Sequence, residues 1–345
     1  MVAQMIISKT NLLRLLAVVV TFTSIYLFAP WEYGVYYLKP LPNTVQEELD
    51  AFIQQGVDGV IIYVDKKGAE PRYYVSGVDN RVTQAPVRHD ALFKIASIAK
   101  LYDAAAITKL IGEGKLSLES KLSDLLPFTE DRIENAQDIT VRMLVQHRSG
   151  IPNFTDHERF HWGELDIDIM ELVLDQRADF TPDSDYAYSN SNYVLLQKII
   201  TAITGAPHEQ YIQKTLLAPL GLTRTFFSVN QVDKKALMSG YHLGYEQDVR
   251  HLDQGYIATA QDVAIFLRAL NEGTLFSEYE QQVYRTLYKY NHTGWVLGYQ
   301  SIAKYHEEDD TVVIQFVSTT GNDLVILTDI LYHRIVEILA LNNGS

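Results

Sequence analysis

The sequence predicts a mixed α+β chain, in which an α/β part is interrupted by a long helical segment and preceded by an apolar helix. Three observations lead there. Strand-like runs occur at residues 59–64, at 71–77 and again after His292; residues from about 98 to 285 read mainly as helices and loops; no charged side chain occurs in 15–31. Short apolar runs bounded by turn residues suit strands, whereas longer runs with apolar residues three and four apart suit helices. With 345 residues and 47% hydrophobic content, the chain can bury one or two substantial cores, so disorder is not its expected state.

The N-terminal segment, residues 1–35, is expected to be a signal anchor. The charge-free run has roughly the length needed to cross a bilayer as a helix. Lys9 and Arg14 precede it, and basic residues favour the cytoplasmic side, so the chain beyond Trp31 is expected on the extracytoplasmic face, anchored to the membrane. Trp31, Tyr33, Tyr36 and Tyr37 suit the outer interface. The alternative is a protein secreted after signal cleavage, although no small-x-small site follows the run. The remaining residues, 36–345, form the globular domain, with its α/β part at about 45–97 and 286–345 and the helical insertion at about 98–285. Its formal charge of −14 argues against nucleic-acid binding, which needs a basic surface to neutralise phosphates. The absence of cysteine excludes disulfides, thiolate metal sites and cysteine nucleophiles.

Ser97-Ile98-Ala99-Lys100 opens a predicted helix that ends at Gly112-Glu113-Gly114. Residues three apart share a helical face, so the amine of Lys100 can lie beside the hydroxyl of Ser97, a weak nucleophile that needs a base within hydrogen-bond reach. The same tetrapeptide recurs as Ser301-Ile302-Ala303-Lys304. That copy precedes the charged turn 307–310 and reads as part of a β-hairpin, where residues i and i+3 point to opposite faces; Ser301 and Lys304 are therefore expected to be structural. A serine three before a lysine arises by chance on the order of once in a chain this long, so context has to separate the two copies.

Further segments lie between and after. His147, in Leu144-Val145-Gln146-His147-Arg148-Ser149-Gly150, reads as a packing or hydrogen-bonding residue beside an apolar stretch. His157-Glu158-Arg159-Phe160-His161 matches the pattern in which two imidazoles on one helix face bind zinc beside a glutamate base, which makes a zinc metallohydrolase an alternative. Its extended form fails, because Gly163 falls one position early and Ile167 stands where a third histidine belongs; Glu171 and Asp175 come too soon for a ligand on a second helix. Tyr188-Ser189-Asn190 follows the turn-rich 181–185 and precedes a helical run at 194–203, so a phenol and an amide held in a loop can reach one small site. His292-Thr293-Gly294 leads into a strand-like stretch that includes Trp295, and the bare Gly294 is expected to let a substrate backbone lie alongside.

In this order and at these separations, the segments resemble the serine β-lactamase and penicillin-binding-protein superfamily, in its class C β-lactamase-related branch. Pro219-Leu220-Gly221-Leu222, with Thr225 and Phe226, and the helix-opening stretch 259–267 add to a likeness that runs from about Asp58 to about Leu341. The resemblance implies an antiparallel sheet flanked by helices, with an inserted mostly helical domain and the active site between them. It also implies that Ser97 attacks the substrate carbonyl and is acylated, that Lys100 takes or relays the proton, and that Tyr188 is a second proton-transfer group. Asn190 would hold Lys100 and a substrate amide, and His292, Thr293, Gly294 and Trp295 would face the substrate, with the backbone N–H groups of Ser97 and Trp295 forming an oxyanion hole. No cofactor or metal is implied. Lactam-hydrolysing members often carry lysine where His292 stands, and peptidase-like or esterase-like members often carry histidine; a mostly neutral imidazole anchors a carboxylate less firmly. Trp295 replaces a usually small residue and narrows the pocket or walls it. The implied partner is a small ester, amide or D-amino-acid peptide, a class that includes cell-wall-derived substrates of D-alanyl-D-alanine carboxypeptidases. A true β-lactamase and a catalytically slow binder of cell-wall peptide or lactam are the alternatives.

Overall fold

The computed structural model describes residues 9–29, 31–163, 167–253, 255–321 and 324–343. The chain divides into two compact units, Met1–Pro42 and Asn43–Ser345. In the first, Lys9–Phe28 forms a 20-residue helix with no buried residue. At 1.5 Å per residue it is about 30 Å long, the thickness of a hydrocarbon core. Its length and composition suit a membrane span, and a signal sequence near an N-terminus shares both properties. The helix begins before the charge-free run, so Lys9 and Arg14 occupy its first two turns. A shorter helix, Trp31–Leu38, follows.

The second unit is built on a six-stranded antiparallel sheet in the spatial order Ala85–Pro86, Arg72–Asn80, Gly59–Lys66, Thr311–Val317, Tyr299–His306 and His292–Val296. The two central strands come from opposite ends of the unit and pair from Val60 with Val317 to Lys66 with Thr311. Thr311–Val317 is buried along its whole length, as is most of Gly59–Lys66. Helices Val45–Ile53 and Leu324–Asn343 pack together and against these strands, and helix Ala260–Asn271 also packs on them, so the central strands are covered on both faces. Burial on both faces fits the consecutive apolar side chains Val312-Val313-Ile314 and Phe316-Val317 in this strand. Each fully buried Ile, Val or Phe there contributes about 1.5–3 kcal/mol.

Between Ala99 and Leu287 the chain is mostly helical, but not purely so. Phe93–Lys94, Ile257–Ala258 and Thr225–Phe226 form a small three-stranded sheet, and Tyr241–His242 pairs with Thr319–Thr320. Helix Ala260–Asn271, whose first turn is capped by the Thr259 hydroxyl accepting from Asp262 N–H, belongs to the packing of the main sheet. One hydrophobic core runs through sheet and helical segment alike, from Ile61 and Phe316 through Phe93 to Leu101 and Leu196. Helix Ala99–Gly112 lies inside that core, with apolar residues buried around its circumference. Such a helix is held by its surroundings on all sides, which gives the side chains at its start fixed positions.

Candidate active site

Ser97 sits in a single turn of tight helix, Ala96–Ile98, that leads directly into helix Ala99–Gly112. The turn is fixed from two sides. Ile95 N–H donates to the Tyr256 carbonyl at 3.0 Å, and the Ile95 carbonyl accepts from Ser301 Oγ at 3.0 Å. Between this anchored residue and the serine, Ala96 adopts φ of +50°, a left-handed conformation that a side chain other than glycine takes at a cost.

Two of the expected residues converge on Ser97, and a third holds one of them. Lys100 Nζ donates to Ser97 Oγ at 3.1 Å and to Asn190 Oδ1 at 2.8 Å, and the Tyr188 hydroxyl donates to Ser97 Oγ at 2.8 Å. Asn190 is the first residue of helix Asn190–Thr204, so the amide expected in a loop is held at a helix terminus. Its position is secured by Asn153, whose Oδ1 accepts from both the backbone N–H and the side-chain amide of Asn190. Burial pulls Lys100 down to about 8, against an upward pull from Asp103. Burial pushes the Tyr188 phenol up, partly offset by its bond to Ser97.

His147 packs behind this group, 4.4 Å from the Tyr188 ring and 5.3 Å from that of Tyr193. Its Nδ1 accepts from Ser189 N–H at 3.2 Å, which ties the backbone between Tyr188 and Asn190 to the core. Burial, reinforced by Lys100 and Lys289, draws it down to about 3, so it is neutral near pH 7.

The third expected segment forms strand His292–Val296 at the edge of the main sheet, packed against the Ser97 turn. His292 is buried, and both ring nitrogens are engaged: Nδ1 donates to the Thr293 carbonyl, and Nε2 accepts from the Tyr288 hydroxyl at 3.0 Å. Burial and Lys289 draw it down to about 3. The neutral imidazole expected from the sequence is therefore spent on the protein and leaves neither nitrogen open. Thr293 is exposed at the cleft. A Cβ at Gly294 would meet the Ile95 carbonyl and Ser301 Oγ, each at 2.4 Å, so its missing side chain admits the close approach of the Ser97 turn, while the residue also lines the cleft. Trp295 is half-buried and meets Trp162 edge to face, with ring centroids 5.3 Å apart. Trp162 in turn meets Phe160, and Phe160 meets Phe154, making an aromatic wall along the cleft.

The expected residues line one cleft of about 1280 Å³. Several cleft residues have no motif to announce them. Asp103 and Gln197 lie beyond Lys100 and Asn190 on the same two helices, a position that helical spacing from the motif residues could have indicated. Lys289, on the approach to the edge strand, has no hydrogen-bonded or ion-paired partner for its amine among the described residues; burial and Lys100 draw it downward. The second serine–lysine copy splits as its strand geometry predicts. Ser301 is buried against Ile95, whereas Lys304 Nζ lies over the Tyr332 ring.

Residues 157–161 do not form the helix that the zinc pattern requires. His157 Nδ1 accepts from Arg159 N–H, Glu171 pairs with Arg159, and Asp175 pairs with Arg132. Among the described residues, no three potential ligands gather at one point.

A family model described as Beta-lactamase matches residues 43–318. Penicillin-binding protein 4 of Amycolatopsis lactamdurans is 29% identical over 179 residues, which cover 51% of this chain and 47% of that protein. Protein flp of Staphylococcus aureus strain MRSA252 is 30% identical over 214 residues, covering 59% of this chain and 42% of that protein. The chain thus spans less than half the length of these curated relatives. Among solved structures, D-amino acid amidase from Ochrobactrum anthropi SV3 complexed with L-phenylalanine amide superposes with a TM-score of 0.76 at 22% identity, over 88% of this chain and 99% of that one. Beta-lactamase/D-alanine carboxypeptidase from Pseudomonas syringae gives 0.66 at 18% identity, over 85% and 97%.

Proposed function

The chain belongs to the beta-lactamase family and is a serine hydrolase, and from that premise we propose that it works through an acyl-enzyme on small ester, amide or D-amino-acid peptide substrates, with Ser97 as nucleophile. The observation that carries this reading is the convergence of Lys100 and Tyr188 on one hydroxyl oxygen, at 3.1 and 2.8 Å. Lys100, drawn down to about 8, gives up its proton before Tyr188, which burial pushes the other way. The neutral amine is therefore the base.

In acylation, Lys100 takes the Ser97 proton as Oγ bonds to the substrate carbonyl carbon, and the carbonyl electron pair moves to oxygen. The backbone N–H groups of Ser97 and Trp295 hold that oxyanion. The proton then passes by way of Tyr188 to the leaving oxygen or nitrogen, the carbonyl re-forms and the leaving group departs. Water reverses the sequence in deacylation, losing its proton through the same groups and freeing Ser97. Asn190 holds the lysine on the serine side throughout.

A neutral His292 with both nitrogens engaged and an aromatic wall at Trp295 support an uncharged, apolar substrate portion. The likeness to an amidase complexed with L-phenylalanine amide agrees with a small amide of this kind. A carboxylate-bearing lactam is the second reading, favoured by Lys289, whose amine lies over the Tyr288 ring beside the cleft and makes no hydrogen bond or ion pair among the described residues. The helix Lys9–Phe28, with basic residues in its first turns, supports a membrane anchor that places the hydrolase on the extracytoplasmic side.

Intact-mass measurement after exposure to a fluorophosphonate, a β-lactam and an ester panel, with the labelled residue mapped, tests the reading. The expected result is a single adduct on Ser97 and turnover of an ester. A label on another residue sinks it, and a lasting Ser97 adduct without turnover of any substrate replaces it with a binding protein.

A further inference from the structure

Two helices meet in a matched pattern behind Ser97. On helix Ala99–Gly112, Lys100 and Asp103 lie three residues apart; on helix Asn190–Thr204, Asn190 and Gln197 lie seven apart, so each pair shares a face. Asn190 Oδ1 accepts from Lys100 Nζ at 2.8 Å, and Gln197 Nε2 donates to Asp103 Oδ2 at 3.0 Å. The other oxygen of Asp103 accepts from the Tyr256 hydroxyl at 2.7 Å. Two donors and no acceptor suit an ionised carboxylate.

That carboxylate is 1% exposed, and among the described residues no cation lies in ion-pair contact with it. Burying a lone anion is costly, and a neutral side chain of similar size would fill the place at lower cost. What Asp103 adds is charge.

We propose that Asp103 is a positioning residue for the Ser97 reaction: its fixed negative charge, one helical turn beyond Lys100, stabilises the ammonium that Lys100 becomes on taking the Ser97 proton. This rests on the acyl-enzyme reading above. When the Ser97 O–H bond breaks and the N–H bond on Lys100 forms, a cation appears in a site that excludes water, and the anion already in place offsets it.

The groups facing Lys100 leave this part to Asp103. From its own chain segment it bonds to Ser97, with the Asp103 charge acting on it from one turn away, and across the cleft it meets Tyr188, Asn190 and the Tyr193 ring. Tyr188 and Tyr193 are both pushed up by burial and stay neutral. From the loop after helix Val141–Val145 comes neutral His147, and from the edge-strand side come neutral His292 and the opposing cation Lys289. Burial pushes the Asp103 carboxyl up, and His208, the hydrogen bonds from Tyr256 and Gln197, and Lys100 pull it back towards the ionised form.

The test is the pH profile of single-turnover acylation by an uncharged nitrophenyl ester, measured on the full chain. In the wild type the rate rises with pH as Lys100 loses its proton. Asp103→Asn is expected to lower the plateau by about tenfold or more and to move the rise to lower pH, because the ammonium loses its neighbouring anion. The double variant Tyr256→Phe/Gln197→Leu keeps the carboxyl group but removes both donors, which favours its neutral form. It should move the rise in the same direction. A purely structural role would lower the rate in either variant and leave the rise in place, and that outcome, in whichever variant folds, overturns the inference. Lys100→Ala separates the two levels. A rise that persists without Lys100 overturns the lysine as base and this inference with it, whereas a rise that belongs to Lys100 but ignores both variants overturns the inference alone.

Discussion

Ser301 Oγ donates a 3.0 Å hydrogen bond to the carbonyl of Ile95, two residues before Ser97. The two serine–lysine copies are thus adjacent in space, one carrying the hydroxyl that Lys100 and Tyr188 reach and the other supporting the turn beneath it. Ser97→Ala is expected to abolish acylation. Ser301→Ala removes one of the two donors to the Ile95 carbonyl and leaves Ile98 N–H in place, so it should cost about 0.5–1.5 kcal/mol in stability and retain most of the acylation. Equal losses of fluorophosphonate labelling in the two variants would contradict the assignment.

Lys100→Ala and Tyr188→Phe should each reduce turnover by at least ~10²-fold, the usual scale for a positioned proton-transfer group. Steady-state kinetics on an uncharged ester measures this. Wild-type rates in either variant would mean the base lies elsewhere.

His147 and His292 are both drawn down to about 3 by burial, against an ordinary value of 6.5. Between those values the unfolded chain binds protons that the folded one refuses, so stability falls as pH is lowered from about 6.5 towards 3. Each histidine contributes up to about 1.4 kcal/mol per pH unit in that window. Urea midpoints across the range should show the fall, with a shallower slope in His147→Gln. A midpoint independent of pH would show that these imidazoles are protonated in the folded protein.

Gly294→Ala should damage the site without touching any reacting group. The added Cβ lies 2.4 Å from both the Ile95 carbonyl and Ser301 Oγ and 3.0 Å from the Ala96 Cβ, so the edge strand and the Ser97 turn must separate. Overpacking of this kind costs about 1–3 kcal/mol, and a displacement of about 1 Å at the nucleophile can cost ~10²-fold in rate. Thermal midpoint and ester turnover test it together; a stable variant of normal activity would show that the contact gives way easily.

Uncharged short-chain esters should outperform carboxylate-bearing lactams, because His292 offers no cation and Trp295 offers apolar surface. His292→Lys combined with Trp295→Gly should move the preference towards lactams. The measurement is kcat/KM for a matched ester and cephalosporin on both enzymes. Faster cephalosporin hydrolysis by the native protein would replace the esterase-like reading with a β-lactamase.

The parts of this site that were legible in the sequence are those set by local chain geometry. Ser97 and Lys100 share a helical turn, Tyr188 and Asn190 lie two residues apart, and Ser301 and Lys304 part on a strand, all from spacing alone. The resemblance supplied their mutual order. What stayed hidden depends on contacts between distant segments. Lys94, inside an apolar run, is fully buried and donates to the carbonyls of Val249 and Leu252, at 3.0 and 2.7 Å. Asp103 is recognisable only beside Tyr256 and Gln197. At Gly294 the sequence shows that a side chain is missing, but not that the Ser97 turn fills the space. The zinc pattern failed because five residues with suitable spacing need not form the helix that gives the spacing meaning.

The edge-to-face contact of Trp162 with Trp295 also has an optical consequence. The chain has three tryptophans, and two of them are these cleft residues. Replacing the third, Trp31, by phenylalanine would leave tryptophan emission, excited selectively over that of the 22 tyrosines, coming from the wall of the cleft alone. A ligand that settles against that wall would change the polarity around the indoles and the coupling between them, so occupancy could be followed by spectral shift or anisotropy without an attached dye. Substrates too slow to give a measurable product would still give a signal.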